Sequence, residues 1–169
     1  EFRRVLFRSV VMKLYHGTVF DFSEIDLALS KSAKDFGKGF YLSADRQQAE
    51  NWSRFKSLQS ELPAKVYEYY FDENLLDDNT LKVKRFDGYS EEWAKFVFDN
   101  RQNLSDSNIH DFDIVIGPIA NDKVGVQIRN YFEGNITFDV FLERLKYMKG
   151  ITIQYFFGTE KAIKHLKRL

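Results

Sequence analysis

The order of its short apolar segments constrains the fold of this chain more than any other feature. Segments with strand-like alternation lie near both ends, and segments with helical periodicity lie between them, without the steady strand–helix alternation of a doubly wound sheet. The pattern therefore predicts an α+β fold rather than a doubly wound sheet. Strands are predicted at 13–16, 40–43, 65–73, 81–87, 111–119 and 151–157, and helices at 46–59, 90–101, 121–132, 137–148 and 159–169. The segment 19–30 is predicted to be a helical turn or a loop.

Local signals define several helix ends. Asp45 followed by Gln48 matches a capping box, and Ser90 and Thr159 are suited to cap the helices that follow them. Gly150 is expected to stop the helix before it. These signals predict where helices begin more sharply than where they end.

Composition narrows the class of protein. Lysine plus arginine and aspartate plus glutamate both number 25, so no net charge recruits nucleic acid or an anionic membrane. The absence of cysteine excludes disulfides, thiolate metal sites and a cysteine nucleophile. No apolar run approaches the roughly 20 residues of a membrane helix. We expect a cytoplasmic protein without a membrane contact, with a secreted effector as the alternative.

The chain is expected to form one domain, over 12–169. Residues 1–11, "EFRRVLFRSVV", are basic and apolar, but Arg8 interrupts the apolar core and no small-residue cleavage site follows. We interpret Met12 as the natural start and the preceding residues as a non-native leader or scar.

A histidine–glycine pair ends the first predicted strand. Gly17 would let a ligand lie against its peptide N–H and C=O, which complement a carboxamide, and His16 could reach a nearby hydroxyl. Such dipeptides are common, and a strand-end histidine followed by a turn glycine is the simpler interpretation of the pair alone.

The stretch "GKGFY" has a similar character. Gly37 and Gly39 permit close approach, and Tyr41 follows on a strand where its ring could face a flat ligand. A β-turn entering a core strand is the alternative. The stretch is not a phosphate-binding loop, because the GxxxxGK[ST] pattern is missing.

Together, "LYHGT" and "KDFGKGFYLSAD" followed by "QAENW" resemble the N-terminal motifs of the ADP-ribosyltransferase superfamily. The likeness is to its His-Tyr-Glu branch, the poly(ADP-ribose) polymerases and diphtheria-toxin-like enzymes. Residues 12–169 also resemble a subgroup of small uncharacterised bacterial domains, some of them encoded beside antitoxin-like genes. The resemblance implies a split, mixed or antiparallel β-sheet with flanking helices, and a nicotinamide pocket lined by both glycine-bearing strands.

The resemblance also implies roles for individual residues. Gly17 would bind the nicotinamide carboxamide, His16 the adenosine-ribose 2′-hydroxyl, and Tyr41 would stack on the nicotinamide ring. Trp52 falls where polymerases place a second aromatic, although a core-facing position is equally expected, and Ala49 replaces a hydroxyl contact. The cofactor-binding strands would also contribute Thr18, Lys38, Gly39 and Ser43.

The third motif departs from the pattern. The catalytic glutamate of the superfamily begins a late strand, and Gln154 stands there. Glutamine can donate and accept hydrogen bonds but supplies no charge to stabilise an oxocarbenium ion and no general base. Glu160 is expected to be a first-turn charge of the last helix rather than a substitute.

The resemblance leaves several functions open. It favours an NAD-dependent mono-ADP-ribosyltransferase with NAD as substrate, no metal and an unidentified macromolecular acceptor, and it includes the hypothesis of a toxin controlled by an antitoxin protein. The alternatives are a non-catalytic NAD- or ADP-ribose-binding module and an NAD glycohydrolase. An RNA 2′-phosphotransferase, whose family also uses "HGT", is disfavoured because its additional phosphate ligands have no counterpart.

The remaining polar candidates are expected to be structural or solvated. Asp111, Asp113 and Asp122 are predicted to be solvated loop carboxylates rather than metal ligands, although His110 stands beside them. His165 lies among basic residues near the end of the chain and is predicted to be on the surface.

Overall fold

The structure is a computed structural model that describes residues 10–148 and 150–169. The predicted leader lies outside these residues except for its last two positions, of which Val11 already pairs with Asp72. The strands are β1 (Val11–Thr18), β2 (Phe40–Leu42), β3 (Lys65–Asp72), β4 (Val83–Arg85), β5 (Ile114–Pro118), β6 (Ile153–Phe157) and β7 (Lys167–Arg168). The helices are α1 (Arg46–Ser60), α2 (Glu91–Gln102), α3 (Asp122–Phe132), α4 (Phe138–Lys146) and α5 (Glu160–Ile163).

The strands form two sheets. One has the order β1-β3-β7 and is antiparallel, and the other has the order β2-β6-β5-β4 and is mixed, because β4 runs parallel to β5. A single bridge between Tyr15 and Ser43 connects β1 to β2. The predicted α+β class with a split sheet and flanking helices is confirmed.

Two hydrophobic clusters hold the layers together. The first includes Trp93 and Val97 of α2, Ile128 of α3 and Phe141 of α4, packed against the second sheet through Phe156. The second cluster lies between the two sheets and joins residues of β1 and β3 to residues of β2, β5 and β6. Since aromatic side chains bury large apolar areas, these ring-rich clusters supply most of the apolar burial.

The predicted helix caps are confirmed with one difference. Asp45 accepts a hydrogen bond from the Gln47 N–H at 2.9 Å, as an N-cap does. Gln48 does not return to the Asp45 backbone; its Oε1 accepts instead from the Ser43 hydroxyl at 2.8 Å. Helix α4 ends at Lys146, before Gly150, which has a φ of +61°.

The prediction of a helix over 159–169 is wrong beyond its first turn. Thr159 caps α5 as expected, but the helix ends at Ile163 and the chain then forms β7. There, Lys167 and Arg168 pair with Tyr70 and Tyr69 of β3, which offers unpaired backbone groups at the edge of its sheet. Among the residues described, no helix has the length and apolar character needed to cross a bilayer.

Candidate functional site

His16 and Tyr41 meet across the junction of the two sheets. The Nδ1 atom of His16 lies 2.7 Å from the backbone carbonyl oxygen of Tyr41. Because a carbonyl oxygen can only accept, Nδ1 carries the proton, and Nε2 of the neutral ring is left as an acceptor. The structure thus brings together the two motifs, which are 25 residues apart in the sequence.

The ring of His16 lies in an aromatic environment. It stacks on Phe40 at 4.1 Å between ring centroids and meets the edge of Phe22 at 5.9 Å. Burial, reinforced by the charge of Lys56, outweighs the hydrogen bond to Tyr41 and lowers the pKa of His16 to about 4. The imidazole is therefore neutral at pH 7 and offers a lone pair at Nε2.

This lowered pKa predicts a loss of stability in acid. The unfolded chain binds a proton at His16 below its ordinary pKa of 6.5, whereas the folded chain does so only near 4. The free energy of unfolding should therefore fall by about 3 kcal/mol from this group as the pH decreases from 7 to 4. Urea unfolding at both pH values would measure the effect.

The control for this prediction is His16→Asn, which keeps a side-chain N–H donor but does not titrate. Its free energy of unfolding should depend less steeply on pH than that of the wild type. Parallel pH profiles for the two proteins would contradict the lowered pKa.

The strands β1 and β2 are paired at Tyr15 but not at Gly17. Tyr15 and Ser43 exchange two hydrogen bonds, of 2.7 and 2.8 Å, so both backbone groups of Tyr15 point toward β2. Backbone groups alternate along a strand, and Gly17, two residues later, directs its N–H and C=O to the same side, toward Tyr41. No hydrogen bond joins Gly17 to Tyr41 within the described part of the chain. The Gly17 peptide therefore faces the gap between the strands.

Gly17 also permits the close approach of α1. A Cβ at this position would overlap the backbone carbonyl oxygen of Ala49 and come within 3.2 Å of the Ser53 nitrogen. Ala49 and Ser53 are the buried residues of α1. The glycine thus has a packing role, and the residue is buried where α1 meets β1.

The side chain of Tyr41 is held on the other side of this junction. Its hydroxyl donates to the Gly37 carbonyl at 2.7 Å and accepts from the Phe36 N–H at 3.0 Å. Its ring packs against Phe156, with 5.1 Å between the centroids. Burial raises the pKa of the phenol well above its usual value. Tyr41 therefore fixes the loop before β2.

Trp52 faces solvent on α1. It is 47% exposed, stacks on Phe55 at 5.7 Å and lies below the ammonium group of Lys56 at 5.2 Å. The core-facing interpretation of Trp52 is wrong, because Ala49 and Ser53 form the buried face. Trp52 and Phe55 therefore form an exposed aromatic surface on α1, the helix that packs against Gly17.

The other predicted cofactor-binding residues have partners within the protein. Thr18 accepts from the Phe20 N–H at 3.2 Å, and the Lys38 ammonium lies 3.6 Å from Asp106. A Cβ at Gly39 would overlap the ring of Phe156, which explains the glycine by packing. These contacts give each residue a structural role.

Gln154 lies at the start of β6 and is 8% exposed. Its Nε2 donates to Oδ2 of Asp35 at 3.2 Å. In the register of β2 and β6, Tyr41 pairs with Phe156, so Gln154, two residues before Phe156, is on the face that carries Tyr41. The structure therefore places Gln154 beside the junction and connects it to a carboxylate.

Sequence reasoning missed three residues that organise this region. Asp35 and Arg101 form an ion pair, and Asn108 exchanges hydrogen bonds of 2.7 and 2.9 Å with the backbone of Lys38. Arg101 and Asn108 lie about 65 to 70 residues from their partners in the sequence. No periodicity or motif connects positions so far apart.

Asp113 corrects another expectation. It is 8% exposed and accepts hydrogen bonds from the Lys82 N–H at 2.7 Å and the Thr159 hydroxyl at 2.6 Å, so it is structural rather than solvated. Asp111 is exposed, as predicted, and pairs with Lys82. His110 binds the Phe36 carbonyl through Nε2 at 2.7 Å. Within the described ranges, no three histidines or carboxylates are grouped to hold a metal.

Two surface depressions flank the region. One of about 260 Å³ is lined by residues at the start of α1 and of β6, and Gln154 is not among them: Ser43, Ala44, Asp45, Gln48, Ile151, Thr152, Ile153 and Tyr155. A wider depression of about 680 Å³ lies on the β3–β7 side, where Tyr67 and Arg168 line it with Phe22. Phe22 also touches His16, so this depression begins beside the imidazole.

Fold and site define an α+β domain with a split sheet and a histidine, a tyrosine and a glutamine at the junction. Residues 12–168 match the family described as "Protein of unknown function (DUF3990)", and the chain belongs to that family. Neither a curated protein nor a solved structure matches the chain at a significant level.

Proposed function

We propose that the protein is an NAD-dependent mono-ADP-ribosyltransferase. The observation that carries the proposal is the hydrogen bond from His16 Nδ1 to the Tyr41 carbonyl, beside the Gly17 peptide, which makes no backbone bond to Tyr41 among the described residues. This contact joins the two sequence motifs that resemble the superfamily. Within the part of the chain that the structure describes, it leaves the neutral His16 acceptor close to the buried Gly17 peptide, which has no bond to Tyr41, and these groups suit a ribose hydroxyl and a carboxamide.

The chemistry follows from the charge on NAD. The bond between the ribose C1′ and the nicotinamide N1 breaks, and its electron pair leaves with nicotinamide, which thereby loses its positive charge. A nucleophilic oxygen or nitrogen of the acceptor then bonds to C1′, and the acceptor proton passes to solvent or to a base of the acceptor. Binding of the carboxamide at Gly17 and of a ribose hydroxyl at His16 would hold the two halves of NAD in position for this cleavage.

Gln154 favours transfer to a single acceptor. Its position on the Tyr41 face supports a contact to the nicotinamide ribose, but it carries no charge and cannot deprotonate a nucleophile. Chain elongation depends most on a carboxylate at this position, so mono-transfer is the better match. A bacterial toxin role, an antitoxin partner and a cytoplasmic location belong to the proposal.

The proposal is tested by incubating the purified protein with labelled NAD and a bacterial lysate. We expect nicotinamide release and transfer of the label to a macromolecule, both lost in His16→Ala. His165→Ala, on the turn after α5, is the matched control and should behave as the wild type. Equal labelling by wild type and His16→Ala would remove the basis of the proposal, and release without transfer would indicate a glycohydrolase.

Gln154, in place of the catalytic glutamate, favours a second candidate, a non-catalytic NAD- or ADP-ribose-binding module. Such a module would bind NAD in calorimetry without releasing nicotinamide. In that case, a gain of NAD hydrolysis in Gln154→Glu would indicate a competent pocket that lacks only the charge.

A further inference from the structure

We propose that Asp35 is a positioning residue that orients and polarises the Gln154 side chain, so that Gln154 presents its carbonyl oxygen to a hydroxyl of the bound ligand. The inference rests on the proposed function for the identity of that ligand. The orientation of Gln154 itself rests only on contacts within the chain.

Asp35 is at the centre of a nearly buried set of hydrogen bonds. Its Oδ1 accepts from Nε of Arg101 at 2.7 Å, and Nη2 of the same guanidinium lies 2.7 Å away. Its Oδ2 accepts from the Ala120 N–H at 2.9 Å and from Gln154 Nε2 at 3.2 Å. The Asp35 side chain is 12% exposed. The carboxylate therefore connects the loop before β2 to α2, to the segment after β5 and to β6.

These contacts determine which way the Gln154 amide points. Both oxygens of Asp35 already accept from N–H groups, Oδ1 from Arg101 and Oδ2 from Ala120, and a carboxylate oxygen in this role can only accept. The reversed amide would place its oxygen against Oδ2, with two acceptors in contact. Nε2 must therefore face Asp35, and Oε1 is directed away from it.

The free oxygen of Gln154 defines the complementary ligand group. Oε1 has no hydrogen-bond partner in the described parts of the chain and is not among the fully buried, unpartnered side-chain atoms. A carbonyl oxygen at this position accepts from a hydroxyl. The bond between Nε2 and the carboxylate also polarises the amide and makes Oε1 a stronger acceptor. The Asp35 carboxylate thus increases the partial negative charge on Oε1, although the glutamine side chain has no net charge.

Asp35→Asn separates this role from a purely structural one. Asparagine can keep an oxygen toward Arg101 and place its NH2 group at the Oδ2 position, where it would favour the reversed Gln154 amide and leave the Ala120 N–H without its acceptor. We expect the kcat for nicotinamide release to fall by about 100-fold, with a smaller change in KM, because the acceptor oxygen is misplaced.

A double-mutant cycle gives the decisive comparison. In the Gln154→Ala background, Asp35→Asn should change kcat by less than about 2-fold, because the residue through which it acts is missing. Thermal unfolding of all four proteins would report their stability. An equal loss of kcat in both backgrounds would overturn the positioning role.

A second readout does not depend on turnover. In 15N-labelled protein, the side-chain NH2 signals of Gln154, assigned by their loss in Gln154→Ala, should shift in Asp35→Asn. The signals of Gln47, whose Nε2 donates to Asn51 on the exposed face of α1, should not move. Unshifted Gln154 signals would overturn the inference whatever the activity. If those signals shift while the wild type neither binds nor cleaves NAD, the proposed function fails and the orientation by Asp35 stands.

Discussion

Replacing Trp93 with alanine is expected to lower the free energy of unfolding by about 4 kcal/mol. Trp93 is fully buried in the cluster between the helices and the second sheet. Its indole N–H also donates to the Pro118 carbonyl at 3.1 Å, which would lose this partner. Urea unfolding followed by far-UV circular dichroism would measure the change.

The second tryptophan offers a matched control. Trp52 is 47% exposed on α1, so Trp52→Ala should change the free energy of unfolding by less than about 0.5 kcal/mol. If Trp52 covers a nicotinamide ring, the same variant should lose NAD binding while it stays folded. Equal destabilisation by the two substitutions would contradict the arrangement of α1 and α2.

Gly17→Ala is expected to lower the free energy of unfolding by about 3 kcal/mol, although glycine-to-alanine changes in compatible strand positions usually stabilise a protein. The new methyl group would overlap the Ala49 carbonyl oxygen, a backbone atom that can move only if α1 moves. Denaturant unfolding would measure the loss, and the displaced helix should also weaken any ligand contact at the Gly17 peptide.

Gly88→Ala is the control for this change, because a Cβ at Gly88 would have no heavy atom within 4 Å. Its free energy of unfolding should stay within about 0.5 kcal/mol of the wild type. If Gly17→Ala were as stable as Gly88→Ala, α1 could not approach β1 as closely as described.

Features that depend on a few neighbouring residues were predictable. Ser90 and Thr159 cap their helices because a side-chain oxygen accepts from the N–H three residues ahead. Phe141 and Leu145 of the predicted helix over 137–148 lie in the core, since helical periodicity turns every third or fourth residue to one face. The α+β class follows from the order of such segments.

The candidate site was predictable only in part. The histidine and tyrosine motifs lie within short stretches whose residue types can be recognised, and the structure places His16 against Tyr41. The connection of Gln154 to Asp35 was not predictable, because the two residues are 119 positions apart. Contacts over such separations depend on how β6 and the loop before β2 pack together.

Residues 159–169 show most clearly the difference between what the local sequence determines and what tertiary contacts determine. The residues 159–169 have helical propensity and a capping threonine, and these local terms do produce the first turn of α5. The last residues instead pair with β3, where Arg168 lies over the ring of Tyr67 at 3.9 Å. Helix propensity contributes only tenths of a kcal/mol per residue, and backbone pairing at an open sheet edge outweighs it. Local chemistry therefore determined the caps, the periodic helices and the two motifs. Tertiary packing decided the pairing of β7, the exposure of Trp52 and the carboxylate beside Gln154, because each depends on groups that meet only in the folded chain.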